Sequence, residues 1–224
     1  MNFWAKAAAI LVAGGAIGIG GWHYATGWAP DHATYPLQGV DLGEHPGEVE
    51  WGTVRAAGAD FAYLVATVGS DRRAPAFEAN WNALPQAGLR RGAVHLYSLC
   101  QPAVAQANAF NTTVPRVADA LPAAVDIDLR EDCAARPEPA ALAAAVTRFA
   151  TMVEAHTGKP VLLRISKPVE RAFALTAAVR RPVWESGNFF APDYAARPWT
   201  MWRASDLRQV DGIQGPVNWN VVRR

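Results

Sequence analysis

The stretch LPAAVDIDL (residues 121–129) places two aspartates, Asp126 and Asp128, at the end of a short apolar run. Residues 123–127 are predicted to form a buried strand, because the run has the length and composition of one. Side chains two apart on a strand point to the same face, and their Cα atoms lie roughly 6.6 Å apart. We therefore expect both carboxylates to project into one cleft.

Short β-rich runs alternate with alanine-rich helical runs around this stretch. Such alternation indicates an α/β fold of parallel strands joined by crossover helices. The last helix is the clearest, because Pro139 suits its first turn and Gly158 its end. Strands are predicted at residues 39–42, 61–67, 92–97, 123–127 and 161–165, and helices at residues 53–57, 77–87, 103–110 and 139–156.

The pattern changes after residue 165, where strands are predicted at residues 182–184, 200–202 and 212–217 with little helix between them. Five β/α units followed by three mostly bare strands would close an irregular, TIM-like barrel of eight strands, in fewer than the roughly 250 residues of a regular one. Chemistry in such barrels sits at the C-terminal ends of the strands. Asp41 ends the first predicted strand, and Asp126 and Asp128 end the fourth.

The size and charge of the chain limit its partners. Residues 38–224 of the 224 are expected to form one barrel domain after a linker at residues 31–37. Lysine plus arginine number 21 and aspartate plus glutamate 20. Binding to a phosphate backbone needs a basic excess, so this balance argues against nucleic acid as a partner. For this single domain we expect a monomer.

Residues 1–30 have the pattern of an export segment, because Lys6 precedes a long apolar run whose only ionisable side chains are His23 and Tyr24. Two outcomes stay open: a signal peptide cleaved near residues 27–29, or an uncleaved anchor, since the run is long enough to span a bilayer. A buried helix is the weaker alternative, because five glycines lie between residues 14 and 21. We expect the domain on the periplasmic or extracellular side of the cytoplasmic membrane, anchored or secreted.

Cys100 and Cys133 are the only cysteines of the chain. In a protein that enters an oxidising compartment, an even number of cysteines predicts a disulfide. Closing a loop of that length would stabilise the fold by roughly 3 to 4 kcal/mol. Because the two residues follow neighbouring predicted strands, we expect the bridge beside the C-terminal ends of the strands.

A pair of carboxylates facing a cleft suits the cleavage of a glycosidic bond. One is held protonated to donate to the leaving oxygen, while another stabilises developing positive charge or positions a nucleophile. A purely structural alternative is that Asp128 caps the turn into the next segment and Asp126 pairs with an arginine. Glu131 and Glu185 are further candidates for the acid, although both also suit a solvated surface.

Six motifs in order along the chain resemble those of the family-25 glycoside hydrolases, the muramidase lysozymes that cut β-1,4 bonds between N-acetylmuramic acid and N-acetylglucosamine. No single motif is decisive, but their joint order and spacing are specific, and they cover nearly everything from Gly39 to the end. The motifs are GVDLGEHPGEVEW (39–51), GADFAYLVATVGS (58–70), FEANWNALPQAGLRRGAVHLYS (77–98), LPAAVDIDL (121–129), HTGKPVLL (156–163) and GIQGPVNWNVV (212–222).

This resemblance implies a (β/α)5(β)3 barrel that hydrolyses peptidoglycan glycan strands without a metal or another cofactor. Asp128 would be the general acid, with Asp126 and Asp41 tuning it and orienting the substrate acetamide or water. Aromatic rings stack well on sugars, although tryptophans and strand histidines are more often core residues. Further candidates for lining the sugar site are His95, Tyr97, Trp184, Trp202 and Asn218.

The chain departs from the family pattern at the acid itself. The family usually has Asp-x-Glu at the end of the fourth strand, where this chain has Asp126-Ile127-Asp128. A carboxyl withdrawn by about 1 Å can cost on the order of a hundredfold in rate. Residues 65–69, Arg203 and Asn218 also depart from the pattern. Reduced activity is therefore predicted, with an inactive peptidoglycan-binding barrel, or a hydrolase for another N-acetylated glycan, as the alternatives.

Overall fold

Eight strands close into a barrel in the computed structural model, which describes residues 3–131 and 133–224. The strands are β1 (Gln38–Leu42), β2 (Phe61–Val68), the two-residue β3 (Arg72–Arg73), β4 (Arg90–Tyr97), β5 (Ala124–Ile127), β6 (Leu162–Ile165), β7 (Val183–Ser186), β8 (Met201–Gln209) and β9 (Pro216–Val222). Neighbours are parallel from β1 through β2, β4, β5, β6 and β7 to β8. Strand β9 closes the ring antiparallel to both β8 and β1, while β3 pairs with β2 outside it.

Helices follow each of the first five barrel strands, which confirms the predicted (β/α)5(β)3 barrel. The helix after β5 has Pro139 in its first turn and ends at Gly158, whose φ of 73° is left-handed, as the sequence predicts. The helices are α1 (Phe3–Gly27), α2 (Trp51–Ala56), α3 (Phe77–Gln86), α4 (Ala103–Thr113), α5 (Pro139–Thr157), α6 (Lys167–Phe173) and α7 (Leu175–Ala178).

Aromatic side chains fill the end of the barrel opposite the C-terminal ends of the parallel strands. Tyr63 packs against Trp184 with ring centroids 5.1 Å apart, and both are fully buried. Glycines make room for this layer, since a Cβ on Gly39 would lie 2.2 Å from the Phe61 carbonyl oxygen and one on Gly92 would lie 2.3 Å from the Tyr63 ring. These rings fill the barrel interior at this end, beside a cavity of about 130 Å³ whose lining includes Phe61, Tyr63 and Met201.

Two details of the second half differ from the sequence-based expectation. The last strand was expected at residues 212–217, but β9 begins at Pro216. Gly212 and Gly215 have φ values of 91° and 80°, a left-handed conformation that belongs to a turn and not to a strand. Little helix was expected after residue 165, whereas α6 and α7 follow β6; the Ser166 side chain caps α6 by accepting the Val169 N–H at 3.4 Å.

The expected linker lies along the outer face of β8. Tyr35 contacts the rings of Trp199 and Trp202, with centroids 5.9 Å away in both cases. The Gln38 side chain donates to the carbonyl oxygens of Pro30 and Tyr35 at 2.9 Å each. This segment therefore covers part of β8, and the end of α1 lies against the same strand, where Arg208 Nη1 donates to the Gly27 carbonyl oxygen at 3.1 Å. Within the described residues, no helix combines the length and apolarity needed to cross a membrane.

The predicted disulfide between Cys100 and Cys133 is present. It joins the loop after β4 to the loop after β5, at the C-terminal ends of these strands. Cys133 is buried whereas Cys100 is exposed. The bridge therefore ties down the loop that begins with Asp128.

Candidate active site

Asp41 and Asp126 meet at the C-terminal ends of the barrel strands through one shared arginine. Arg164 lies on β6 in register with Asp126 of β5. Its Nη1 donates to Oδ1 of Asp41 at 2.8 Å, and its Nη2 donates to Oδ2 of Asp126 at 2.9 Å. The sequence pattern predicts the two carboxylates as site residues but does not single out this arginine. Its one distinguishing feature in the sequence is that it is the only charged residue of the apolar strand LLRI.

The Asp41 carboxylate is held by four side chains and is only 3% exposed. Besides Arg164, it accepts two hydrogen bonds from Arg203, from Nη2 at 2.7 Å and Nε at 3.2 Å, and one each from Asn218 at 3.1 Å and Asn220 at 2.9 Å. Burial alone would raise its pKa, but the charges of Arg203 and Arg164 outweigh burial and hold the pKa below its usual value. Asp41 is therefore a fixed anion.

Asp126 is bound by two guanidinium groups on the same oxygen. Arg130 Nη2 lies 2.5 Å from Oδ2, which also receives the Arg164 hydrogen bond. Burial would raise the pKa of Asp126, yet Arg164 first and Arg130 second lower it to about 2. Among the described residues, no hydrogen bond falls on Oδ1. Asp126 is therefore ionised and keeps one oxygen for a ligand.

Asp128 differs from both, because no cation of the described residues lies within salt-bridge distance of it. Its Oδ1 accepts the N–H of Leu129 at 2.8 Å, and the residue is partly exposed. Part of the structural alternative raised from the sequence is thus present: Asp126 pairs with arginines, and Asp128 accepts the N–H of the next residue. These contacts still leave one unpaired carboxylate at the mouth of the barrel.

The Trp184 ring and the side-chain amide of Asn220 support the network of Asp41 and Arg164 from inside the barrel. Arg164 lies 4.9 Å above the ring of Trp184, whose Nε1 donates to Oδ1 of Asn220 at 3.0 Å. Asn220 in turn donates to Asp41. Trp184 is inside the barrel but fully buried, so it supports the site and presents no surface to a sugar. Sequence analysis missed the parts played by Arg130, Arg164 and Asn220.

His95 and Tyr97 are not brought to the cleft. His95 faces the helix layer, where its ring nitrogens lie 2.8 Å from Thr67 Oγ1 and 3.0 Å from Gln106 Oε1 and its ring stacks on Phe149. Burial lowers the pKa of His95 to about 4, against a smaller opposite effect of Gln106. Tyr97 packs edge-on against the same phenylalanine. Both side chains therefore point outward from β4, where they form part of the core between the strands and the helix layer.

Trp202 and the two spare glutamates also lie elsewhere. Trp202 is buried beneath Trp28 and Tyr35 on the outer face of β8. Glu185 neighbours the inward-facing Trp184 on β7 and so points outward, where it accepts the Ala195 N–H at 2.8 Å and burial raises its pKa. Glu131 is an exposed turn residue. Asn218, by contrast, is partly exposed and bound to Asp41 at the cleft.

Fold and site together define a class: a (β/α)5(β)3 barrel with carboxylates at the C-terminal ends of its strands. Within residues 3–131 and 133–224, no group of three or more His, Cys, Asp or Glu side chains is arranged to hold a metal ion. The family model "Glycosyl hydrolases family 25" matches residues 40–213, and the chain belongs to this family.

The chain is also similar to individual proteins and to solved structures. The uncharacterized protein YegX of Escherichia coli K12 is 31% identical over 196 residues, which are 84% of this chain and 70% of that protein. A family 25 glycosyl hydrolase from Bacillus anthracis superposes with a TM-score of 0.79 at 24% identity, covering 88% of this chain and 92% of its own. A bacterial lysozyme from Streptomyces coelicolor gives 0.73 at 25% identity, covering 83% and 91%. The resemblance seen in the sequence is confirmed.

Proposed function

We propose that the protein is a muramidase that hydrolyses the β-1,4 bond between N-acetylmuramic acid and N-acetylglucosamine in peptidoglycan, with Asp128 as the proton donor. Membership of family 25 and the similarity to a bacterial lysozyme support the reaction. One observation carries the assignment of the donor. Of the three aspartates at the C-terminal ends of β1 and β5, Asp128 alone is outside the arginine pairs in the described structure.

The proton donor of a glycosidase must hold a proton when the substrate binds. Asp41 and Asp126 fail this requirement, because their arginine partners keep both pKa values low. They can serve only as anions. Asp128 therefore donates the proton to the leaving 4-oxygen of N-acetylglucosamine.

The bond to the anomeric carbon needs a nucleophile as well as an acid. Asp41 is buried under four hydrogen-bonding side chains, so it cannot reach a sugar. Oδ2 of Asp126 lies between two guanidinium groups, which makes it a poor nucleophile. Oδ1 of Asp126 can accept the N–H of the substrate's 2-acetamido group and so direct its carbonyl oxygen at C1. The bond from this oxygen to C1 forms as the bond from C1 to the leaving 4-oxygen breaks and Asp128 protonates that oxygen. Water then attacks C1 of the cyclic intermediate, the bond from C1 to the acetamido oxygen breaks, and a proton of the water returns to Asp128.

Release of reducing ends from purified peptidoglycan by the full-length protein tests this function. Asp128→Asn keeps the shape of the side chain but cannot donate a carboxylic proton, so we expect a rate at least about a hundredfold lower. Glu131→Gln, which removes an exposed carboxylate three residues away, is the matched control and should leave the rate unchanged. Equal release by wild type and Asp128→Asn would remove Asp128 from the mechanism.

A glycan-binding protein without turnover is the second candidate. It is favoured by the short acid at position 128 and by the guanidinium groups that neutralise Asp41 and Asp126. Sedimentation with peptidoglycan in the absence of muropeptide release would support it.

In a muramidase, Asp128→Glu extends the acid by about one methylene toward the substrate, so we expect roughly tenfold faster release. A slower Asp128→Glu would mean that the cleft is adapted to the shorter acid.

We also propose that the barrel acts on the outer side of the cytoplasmic membrane, after export by residues 1–30. The apolar run after Lys6 supports this, and so does the disulfide, which persists in oxidising compartments. Protease added to spheroplasts should digest the barrel. The N-terminal sequence of the protein isolated from cells would distinguish a cleaved leader from an anchor. A protein that stays protected until the cells are lysed would overturn the proposal.

A further inference from the structure

The charges at the mouth of the barrel do not all pair off. Asp41 and Asp126 are balanced by Arg164 and Arg203, which make four of the hydrogen bonds to their oxygens. Arg130 is a third guanidinium on these two carboxylates, bound to the Asp126 oxygen that Arg164 also binds, and Asp128 is the remaining anion of the site. The two residues are two positions apart, so their Cα atoms lie within about 7 Å of one another. The Arg130 guanidinium, bound to Asp126, and the Asp128 carboxylate therefore both lie in the chain segment that follows β5.

Arg130 uses little of its hydrogen-bonding capacity on the protein. A guanidinium has five N–H donors. In the described structure only Nη2 is engaged, on an Asp126 oxygen that Arg164 already binds, and the Nε is buried without a partner. The Arg130 side chain is 27% exposed, against 9% for Arg164. Arg164 joins Asp41 to Asp126 and so has a structural role. Arg130 retains N–H groups that can donate to a ligand in the cleft.

Planar guanidinium groups bind carboxylates better than other acceptors, because two N–H groups match two oxygens and both partners are charged. N-acetylmuramic acid has a lactyl ether on the ring carbon two positions from the anomeric carbon. Its carboxyl group is an anion when no stem peptide is attached and a neutral amide when one is. A carboxylate thus lies within one sugar ring of the bond that Asp128 protonates.

We propose that Arg130 recognises the free lactyl carboxylate of N-acetylmuramic acid, so that the preferred substrate is a glycan strand without stem peptides. This inference rests on the proposed muramidase function and sharpens its substrate class. It also assigns a place in a reaction sequence. An amide hydrolysis that removes the stem peptide from the lactyl group must come first, and the glycosidic cleavage described here follows it.

Peptide-free glycan strands provide the test, before and after their carboxyl groups are converted to methylamides. The two substrates have the same length and sugars and differ in charge. We expect the full-length protein to have a kcat/KM at least about tenfold higher on the free carboxylate form. Arg130→Gln should lose this preference, and Arg130→Lys should retain part of it. Arg136→Gln removes a charge from the same loop, where its guanidinium contacts only carbonyl oxygens among the described residues, and should keep the full preference.

Binding measurements separate this inference from the proposed function. Asp128→Asn protein, which should not turn over, is titrated with the same two strand preparations, and tighter binding of the carboxylate form is expected. Turnover of both forms at equal rates, or a preference that survives in Arg130→Gln, would overturn the role of Arg130 while leaving a muramidase. Selective binding with no cleavage by wild type would instead overturn the muramidase and keep the carboxylate site.

Discussion

At the scale of single residues, the site is governed by which carboxylates have cations beside them. Asp41 and Asp126 look equivalent to Asp128 in the sequence, since each ends an apolar strand. Their environments make them different: arginines hold two of them as anions, and no arginine of the described residues pairs with the third. A division of roles between similar acids is what glycoside hydrolysis requires.

The arginine pairs of Asp126 should make stability depend on pH. Its pKa is lowered from 3.8 to about 2 in the folded protein, so its contribution is present above about pH 4 and is lost as the pH falls toward 2. Between pH 5 and pH 2, wild type should lose about 2 kcal/mol more of its unfolding free energy than Asp126→Asn.

Urea unfolding at several pH values measures this difference. Asp119→Asn is the control, because its salt bridge with Arg91 involves a carboxylate side chain that is 64% exposed. That variant should follow the pH dependence of wild type. Parallel curves for wild type and Asp126→Asn would contradict the ion-pair argument.

At the scale of elements, small residues on β1 and β4 allow the aromatic layer to fill the closed end of the barrel. Gly39→Ala places a methyl group 2.2 Å from the Phe61 carbonyl oxygen, a backbone atom that cannot move aside alone. We expect a loss of about 1 to 3 kcal/mol in unfolding free energy, as for other overpacked cores.

Gly43→Ala gives the comparison for that substitution. It lies just beyond the same strand, where an added Cβ meets nothing within 4 Å. Thermal unfolding of the two variants should therefore differ, with Gly43→Ala close to wild type. Equal melting temperatures would show that β1 can shift to accept the methyl group of Gly39→Ala.

At the scale of the whole molecule, the barrel depends on chain that precedes β1. Trp28 and Tyr35 cover Trp199 and Trp202 on the outer face of β8. A protein that starts at residue 38 should unfold more easily than one that starts at residue 28, by about 2 to 4 kcal/mol, because these tryptophans become exposed. Denaturant unfolding followed by tryptophan fluorescence checks this. Identical midpoints would mean that residues 28–37 contribute nothing to the fold.

Local patterns in the sequence were enough to predict the architecture. The alternation of strands and helices as far as residue 165, the ends of α5 and the cysteine pair all depend on neighbouring residues or on counting, and the structure agrees with each. The same patterns place Asp41, Asp126 and Asp128 at the ends of strands. The predicted start of β9 was wrong because the sequence pattern of this strand runs on without a break from the turn at Gly212 and Gly215.

Only the tertiary structure decided which side chains face the cleft and which charges pair. Strands covered on both faces are apolar throughout, so nothing in their sequence separates the outward His95 and Trp202 from the inward Trp184. The pairs of Asp41 with Arg164 and with Arg203 join residues 123 and 162 positions apart, and closure of the barrel alone brings them together. The sequence by itself therefore determined the barrel and its three acids. The folded structure decided that two of these acids are paired with arginines and that the third, among the described residues, is not, because pairing of distant charges depends on their distance in space.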